Sequence, residues 1–378
     1  MKRGATTGMV TVFLTLFLAA CTAAAPSPSP TTKSPTPTTT LSSPTGTTPT
    51  PAATPTAMAE TPLSPPVAVK VAVLLSATET PIFIGVDKGF FKAEGLNVEL
   101  VNFAGGGDMT SSLAAGQIDV GGGSSSAGLI NAIQRGLGIK IVADRGQAAN
   151  RFGIGALAIR KDLVESGAYK GYPDLKGKTV AGNTPASSVE FLLGQILKQG
   201  NIKPDEVNYV TMPFPNIPAA FANKSIDAAI FPEPFLTTAI DQGYTVKSKS
   251  FDEIYPDYQV SVLMYSPKLI QENVEAAKRF AVAYLRGIRV YKDAFEKNQG
   301  RADVISVITR YTSLKDAGLV ERMIPAGFNA DGRVNLKSLE DEQDWYLARG
   351  FIKEKIDYSK VVDYQFTDYS LKRLGPYK

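Results

Sequence analysis

The chain has 378 residues, of which 44% are hydrophobic, enough to bury a large core and to form two lobes. It has no histidine and one cysteine, which excludes Ser-His-Asp and Cys-His catalysis, histidine-based metal sites and an internal disulfide. An all-carboxylate metal site or a carboxylate-pair hydrolase remains compatible with this composition. The net charge of +4 indicates no basic surface of the kind typical of nucleic-acid binding.

The N-terminus has the pattern of a bacterial lipoprotein signal. Lys2 and Arg3 precede an apolar run from about Met9 to Phe17, which is too short for a standard transmembrane helix. The run ends in Leu-Ala-Ala-Cys21, which resembles a lipobox and implies acylation of Cys21. Cleavage before Cys21 would remove two cations and lower the net charge from +4 to +2. An ordinary secretory signal with an incidental cysteine is the alternative.

The next segment is a predicted tether. Residues 22–66 are almost entirely Pro, Thr, Ser and Ala, with Lys33 and Glu60 as their charged residues. Such a composition cannot bury enough apolar surface to offset the entropy of ordering, so the sequence predicts disorder with a polyproline bias. Fully extended at about 3.1 Å per residue, it would reach on the order of 140 Å.

From Val67 onward the pattern predicts an α/β fold with a mostly parallel sheet. Strands are predicted at VAVKVAVLL (67–75) and GIKIVAD (138–144), with helical patterns at 80–92 and 107–116 between them. The spacing of apolar residues over 273–298 predicts a long amphipathic helix that faces the core.

An internal repeat indicates two similar lobes. The segment SLAAGQIDVGGGSSSAGLINAIQRG (112–136) aligns with AFANKSIDAAIFPEPFLTTAIDQG (220–243), so that Asp119 falls on Asp227. Each copy reads as helix, short strand, loop, helix and strand.

The Gly-Ser loop of the first copy does not fit a nucleotide site. Gly123 and Gly128 have the spacing of a P-loop, but Leu-Ile follows where Lys-Ser/Thr is required. The dinucleotide fingerprint requires Gly or Ala where Ser126 stands. A G-x-G-x-x-A match at 153–158 continues without a helix, which favours a strand near a hinge.

Several segments together resemble the solute-binding proteins of ABC importers, in the branch for nitrate, taurine, alkylsulfonates, thiamine pyrimidine precursors and related vitamins. The resemblance covers 67–378 and rests on PIFIGVDKGFFKAEGLNVEL (81–100), DLKGKTVAGN (174–183), GNIKPDEVNYV (200–210), SIDAAIFPEPF (225–235), DWYLARGFI (344–352) and VVDYQFTDYSLKRLG (361–375).

The resemblance implies a type II periplasmic-binding-protein fold, with two Rossmann-like lobes, a hinge and a ligand in the cleft between them. The implied partners are a membrane permease and its ATPase, and we expect an extracytoplasmic monomer anchored to the cell membrane by its lipid, without a cofactor or metal. The implied organisation is a signal peptide at 1–20, a tether at 21–66, lobe I at 67–158 plus 263–378, lobe II at 159–262, and hinge crossings near Leu157–Arg160 and Val260–Tyr265.

Candidate ligand contacts follow from the rule that ligands of open α/β sheets lie outside the carboxyl ends of the strands. Helix capping is the alternative for the polar candidates and core packing for the phenylalanines; the acidic-Pro pair 233–234 is a candidate by the resemblance. The candidates are Thr80, Phe83, Asp108, Ser124, Ser125, Asn183, Ser187, Phe214, Asn216, Phe231 and Glu233.

These loops favour a flat, mostly neutral ring over an oxyanion. Asp108 and Glu233 are their prominent charges and no Lys or Arg lies in them, although Arg145 and Arg151 could reach in from a neighbouring loop. We therefore expect a heteroaromatic vitamin or precursor, either riboflavin or the pyrimidine half of thiamine. Sulfonate, taurine and nitrate are the alternatives.

The predicted function is a lipid-anchored receptor that delivers a solute to a permease and breaks no bond. An enzyme that makes the thiamine pyrimidine is a rival, because fungal synthases share the resemblance, but their chemistry depends on histidine, which this chain lacks. A sensor domain without transport is a second rival.

Overall fold

The computed structural model describes residues 61–103 and 106–378. The predicted signal peptide, Cys21 and nearly all of the predicted tether therefore lie outside the described residues. The folded part begins slightly before Val67, because Leu63 packs on the core and its backbone N–H donates to the Glu94 carbonyl at 3.4 Å.

Strands and helices alternate along this part of the chain, as the sequence predicted. The strands are β1 (Val67–Val73), β2 (Leu96–Asn102), β3 (Val120–Gly123), β4 (Lys140–Asp144), β5 (Gln147–Ala148), β6 (Gly155–Arg160), β7 (Thr179–Gly182), β8 (Asn208–Thr211), β9 (Ala228–Pro232), β10 (Thr245–Ser250), β11 (Tyr258–Gln259) and β12 (Val262–Tyr265). The α-helices are α1 (Thr80–Asp87), α2 (Phe90–Ala93), α3 (Gly106–Ala114), α4 (Ala127–Gln134), α5 (Lys161–Glu165), α6 (Ser188–Gln199), α7 (Ile217–Ala222), α8 (Phe235–Asp241), α9 (Phe251–Ile254), α10 (Pro267–Glu272), α11 (Val274–Glu296), α12 (Arg301–Tyr311), α13 (Ala317–Arg322), α14 (Leu336–Ala348), α15 (Tyr358–Val361) and α16 (Gln365–Leu374).

Two five-stranded sheets have equivalent strand orders. The first is β2-β1-β3-β12-β4 and the second, read in the matching direction, is β8-β7-β9-β6-β10. In each sheet the fourth strand runs antiparallel to both neighbours, since β12 pairs with β3 and β4 while β6 pairs with β9 and β10. We call the part built on the first sheet lobe I and the part built on the second lobe II.

The repeated Ile-Asp step has the same structural role in both lobes. The Asp119 carboxylate accepts a hydrogen bond from Lys70 N at 2.8 Å, and the Asp227 carboxylate accepts one from Thr179 N at 2.9 Å. Each aspartate thereby ties the start of a strand, β3 or β9, to the strand beside it. The sequence repeat therefore reflects a conserved way of pairing strands within the two lobes of one chain.

The chain crosses between the sheets beside a short ribbon formed by β5 and β11. One crossing is the segment 149–154 and the other is 260–261. The first lies earlier than the expected crossing near Leu157–Arg160, because the apolar run there is β6, which is paired on both edges inside the second sheet.

Helices from the C-terminal part cover both lobes. The predicted amphipathic helix is confirmed as α11, whose apolar face is buried against α1 and α16. Helix α14 contacts α6 of lobe II, where the Trp345 indole lies against Gly194 and edge-on to Phe191 at a centroid distance of 5.9 Å.

Candidate ligand site

A cavity of about 60 Å³, which we call the chamber, lies between the lobes at the carboxyl ends of their strands. Ser124 follows β3, Arg145 follows β4 and Asn183 follows β7, as the strand-end rule predicts for such a fold. The lining residues are Leu74, Ser76, Thr78, Gly123, Ser124, Arg145, Ile154, Asn183, Ser188, Val189, Phe214, Pro232, Phe251, Val260 and Ser261.

Two polar side chains on opposite walls are available to a ligand. Ser124 of lobe I and Asn183 of lobe II are half-buried, and neither makes a side-chain hydrogen bond within the described part of the chain. A hydroxyl and an amide can each donate and accept. A solute between them would satisfy groups from both lobes at once.

The other hydroxyls of the chamber are already engaged. Ser76 Oγ and Thr78 Oγ1 are 2.9 Å apart, and Ser188 Oγ donates to the Val260 carbonyl at 3.2 Å. Ser261 Oγ accepts from Arg145 Nη1 at 2.7 Å. These groups hold the wall in shape and keep their remaining hydrogen-bonding capacity for a ligand.

A buried ion pair forms the floor of the chamber on the lobe I side. The Glu79 carboxylate accepts from Arg145 Nη2 and also from the backbone N–H groups of Leu74 and Ser76, at 2.7 and 2.6 Å. Burial raises the pKa of Glu79, and the Arg145 guanidinium with the two N–H groups opposes that shift. Arg145 Nε has no hydrogen-bond partner within the described residues. The chamber thus contains a guanidinium whose charge is balanced at close range.

Gly122 is required by this arrangement. A Cβ at this position would lie 2.2 Å from both Cδ and Nε of Arg145. Because Glu79 and Ser261 fix the guanidinium, the Arg145 side chain cannot move aside easily.

Three of the predicted ligand residues line the chamber, namely Ser124, Asn183 and Phe214. Two others hold the adjacent loops: Ser125 is buried with its Oγ 2.7 Å from Tyr358 Oη, and Ser187 Oγ donates to the Thr184 carbonyl at 2.7 Å. These two serines shape the walls and do not line the chamber.

The remaining predicted residues point elsewhere. Thr80, the first residue of α1, is buried, and its hydroxyl donates to the Ala77 carbonyl at 2.9 Å. The hydroxyl is therefore engaged in the turn that begins this helix. Phe83 stacks on Tyr311 in the core, and Phe231 is fully buried beside Phe221.

Asp108 and Asn216 are exposed at the starts of their helices and do not line the chamber. Arg151 is likewise exposed, so the loop contributes Arg145 instead.

The structure uses Glu233 for internal contacts. Its carboxylate is buried and accepts from Thr237 N, Thr237 Oγ1 and Ile324 N at 2.9, 2.9 and 3.1 Å. Burial raises the pKa of Glu233 to about 7. Its carbonyl also accepts from Ala77 N at 2.9 Å, which ties lobe II to lobe I. Every strong acceptor of this residue is therefore occupied by the protein, which is why it does not face a ligand.

Some chamber residues were missed by sequence reasoning. Ser76 and Thr78 lie just after β1, so the strand-end rule applied two residues earlier would have found them. Phe251 directly follows β10, which runs parallel to β9, so the same rule would have found it too. Ser261 carries no such signal, because it comes from the second crossing.

Another buried carboxyl lies on α14. Glu342 Oε1 accepts from Tyr258 Oη and Tyr346 Oη, each at 2.7 Å, while Oε2 has no hydrogen-bond partner in the residues described. Burial raises the pKa of Glu342 to about 8. Tyr258 belongs to the ribbon at the crossings, so this carboxyl fastens α14 to the hinge region.

Comparison with known proteins identifies the family. The profile described as NMT1/THI5 like matches residues 76–297, more than half of the chain. The chain belongs to the NMT1/THI5-like family. The expected resemblance is thus confirmed, and the match includes every chamber residue except Leu74.

Relatives of this NMT1/THI5-like chain are described as binding proteins. An ABC transporter periplasmic binding protein of Brachyspira hyodysenteriae is 29% identical over 198 residues, covering 50% of this chain and 56% of that relative. A binding protein of Brucella abortus is 24% identical over 299 residues, covering 76% of this chain and 86% of the relative.

Solved structures show the same fold. The alkanesulfonate-binding protein of Xanthomonas axonopodis, bound to MOPS, superposes with a TM-score of 0.65 at 16% identity, covering 80% of this chain and all of that one. The periplasmic nitrate-binding protein of Synechocystis gives 0.68 at 13%, covering 84% and 90%. A desulfurization enzyme gives 0.56 at 15%, covering 81% and 99%. The periplasmic-binding-protein fold is confirmed, and it also occurs in an enzyme.

In the part of the chain that the structure describes, no helix combines the length and apolarity that a membrane span requires. Residues 61–103 and 106–378 also contain no group of three or more His, Cys, Asp or Glu side chains placed to hold a metal ion.

Proposed function

We propose that this protein is the extracytoplasmic substrate-binding component of an ABC importer, anchored to the membrane by acylated Cys21, and that it captures a small heteroaromatic solute. The observation that carries the proposal is the pair Ser124 and Asn183, polar side chains from opposite lobes that line one chamber and have no hydrogen-bond partner among the described residues. A ligand that contacts both lobes only when they are closed biases a hinge equilibrium toward closure.

The hinge in this proposal is formed by the crossings 149–154 and 260–261 with the ribbon β5–β11. Lobe I combines the N-terminal part of the folded chain with the C-terminal helices, and lobe II is the segment between the crossings. The backbone bond from Ala77 N to the Glu233 carbonyl and the bond from Ala127 N to the Ala186 carbonyl, both 2.9 Å, would hold the closed state.

Charge in the chamber supports a neutral ring over a free oxyanion. Arg145 is the cation that lines it, and Glu79 balances that charge at hydrogen-bonding distance. An entering nitrate or sulfonate would have to compete with this carboxylate, whereas a neutral ring needs only hydrogen bonds and apolar walls. Phe214 and Phe251 supply such walls.

The size of the chamber favours a single ring. Since one water needs roughly 10–15 Å³ of such volume, a chamber of about 60 Å³ holds about five waters or a small ring. This supports the pyrimidine half of thiamine over riboflavin, whose three fused rings would require a wider opening of the lobes.

Calorimetric titration of the purified chain tests the ligand class. The probes are 4-amino-5-hydroxymethyl-2-methylpyrimidine, riboflavin, taurine and nitrate, and we expect saturable binding of the pyrimidine at micromolar concentration. Micromolar binding of taurine or nitrate without any binding of the pyrimidine would assign the chamber to an oxyanion.

A second experiment separates a receptor from an enzyme. The ligand released by denaturing the protein should have the same mass as the ligand added, and prolonged incubation should leave it unchanged. Conversion of the ligand would instead identify an enzyme, as the desulfurization enzyme of this fold illustrates. The lipid anchor is tested separately: Cys21→Ser should move the protein from the membrane fraction to the medium or periplasm.

A further inference from the structure

Arg145 is the charged residue in the lining of the chamber, within the part of the chain that the structure describes. Its side chain is buried and held on two sides, since Nη1 donates to Ser261 Oγ at 2.7 Å and Nη2 donates to the Glu79 carboxylate. The backbone at Gly122 lies against a third side, because a Cβ there would be 2.2 Å from Arg145 Nε. The positive charge at the chamber wall is therefore fixed in place.

The counter-charge of Arg145 comes from a residue that does not line the chamber. Glu79 is fully buried and lies outside the lining. Its carboxylate also accepts from Leu74 N and Ser76 N, at 2.7 and 2.6 Å, so the loop between β1 and α1 holds it independently of Arg145. Glu79 is thus a fixed part of the wall, and it acts on a solute only through the guanidinium in front of it.

The carboxylate behind the wall decides which charge a solute can carry. Without Glu79, the chamber would present an unbalanced guanidinium, which binds oxyanions through charge-assisted hydrogen bonds. With Glu79 in place, an oxyanion beside Arg145 would lie close to a carboxylate in a buried site, where water screens the repulsion of like charges only weakly. A neutral solute meets no such repulsion and still finds a hydroxyl and an amide at Ser124 and Asn183.

We propose that Glu79 is a specificity-determining residue of the chamber, which neutralises Arg145 from behind and so excludes free oxyanions such as nitrate or a sulfonate. The proposal rests on the receptor for a neutral solute proposed above, and it assigns that preference to one carboxylate outside the chamber lining. Removal of this carboxylate should convert the chamber from a site for a neutral solute into a site for an oxyanion.

Melting temperatures of the full chain with and without about 100 mM sodium nitrate test this role. Glu79→Gln keeps the size of the side chain and removes its charge. We expect nitrate to raise the melting temperature of this variant by about 2–4 °C, as for an anion present at about ten times its dissociation constant. The parent protein should shift by less than about 1 °C.

Two controls separate this role from a structural one. Glu342→Gln removes another fully buried carboxylate, whose hydrogen bonds go to Tyr258 and Tyr346, and it should respond to nitrate as the parent does. In the double variant Glu79→Gln/Arg145→Met both charges are absent, so the nitrate response should disappear. A merely structural role for Glu79 would lower the melting temperature without creating a response to nitrate.

If Glu79→Gln does not fold by itself, it is refolded with and without nitrate, and recovery that requires nitrate supports the proposal. Equal nitrate responses of Glu79→Gln and Glu342→Gln, or no recovery of the unfolded variant in nitrate, overturn the role of Glu79 and leave the receptor for a neutral solute standing. A nitrate response already present in the parent overturns the preference for a neutral solute itself, so the two failures are distinguishable.

Discussion

The loops after β3 and β9 occupy equivalent positions in the two lobes, yet their side chains meet different surroundings. In lobe I the loop is glycine and serine, and the Ser124 hydroxyl lines the chamber without a hydrogen-bond partner in the part of the chain that the structure describes. In lobe II the loop is Phe-Pro-Glu-Pro. There Phe231 is buried in the core, and the Glu233 carboxylate accepts hydrogen bonds from the protein itself. At this one position of the two lobes, the small polar Ser124 stays available to a ligand, whereas the large Phe231 and the charged Glu233 are used by the fold.

The largest expected effect is on stability in the lobe II loop. Phe231→Ala removes a fully buried ring next to Phe221 and should lower the free energy of unfolding by about 3–5 kcal/mol. Urea denaturation followed by circular dichroism measures it. A loss below about 1 kcal/mol would show that this loop is not part of the core.

The pH dependence of Glu233 is the next effect. Its pKa is raised from 4.5 to about 7, so its contribution to stability is fully present below about pH 4.5 and is lost as the pH rises through 7. At about 1.36 kcal/mol per unit, the loss is on the order of 3–4 kcal/mol.

Glu233→Gln cannot ionise, so the melting temperature of this variant should fall less than that of the parent between about pH 5 and pH 8. Asp144 and Glu342, whose pKa values burial raises to about 6 and about 8, keep their contributions in both proteins. Parallel curves for the two proteins would contradict the assignment to Glu233.

Adjacent glycines of the lobe I loop provide a matched pair. Gly122→Ala should cost about 1–3 kcal/mol, because the new Cβ collides with the fixed Arg145 side chain. Gly123→Ala should change the free energy of unfolding by less than about 0.5 kcal/mol, because a Cβ there meets no atom within 4 Å. Equal losses in the two variants would mean that Arg145 is not held as described.

The smallest expected effect separates binding from folding at adjacent serines. Ser124→Ala should weaken binding of the pyrimidine probe by about 1 kcal/mol, roughly fivefold, without lowering the melting temperature. Ser125→Ala should do the reverse, because it leaves the buried Tyr358 hydroxyl without its partner. Calorimetry and thermal melts on both variants give the comparison, and a shared loss of affinity would assign both serines to the ligand.

The sequence was sufficient to predict the α/β fold, the two related lobes and the long helix α11, because periodicity and the repeat are local signals. The strand-end rule also led to Ser124, Asn183 and Phe214. It failed for Phe83 and Phe231, since a phenylalanine after a strand looks the same whether it turns toward the cleft or the core. Pairing of Arg145 with Glu79 was out of reach, because the two residues are 66 positions apart and only the fold brings them together.

The crossing residues were the hardest to foresee. Ser261 enters the chamber from the segment that joins β11 to β12, and no composition or spacing marks it. Glu233 was misleading for a physical reason: a carboxylate in an apolar loop suggests a ligand, yet three internal donors had already satisfied it.

The position of Trp345 has a practical consequence. It is the single tryptophan of the chain, and its indole lies between α14 and Gly194 of α6 in lobe II. Fluorescence excited near the red edge of protein absorbance therefore comes from Trp345 alone. It reports on one site, the contact between the C-terminal helices and lobe II. The protein carries its own optical probe of domain motion, so solute uptake can be followed in stopped flow without a dye.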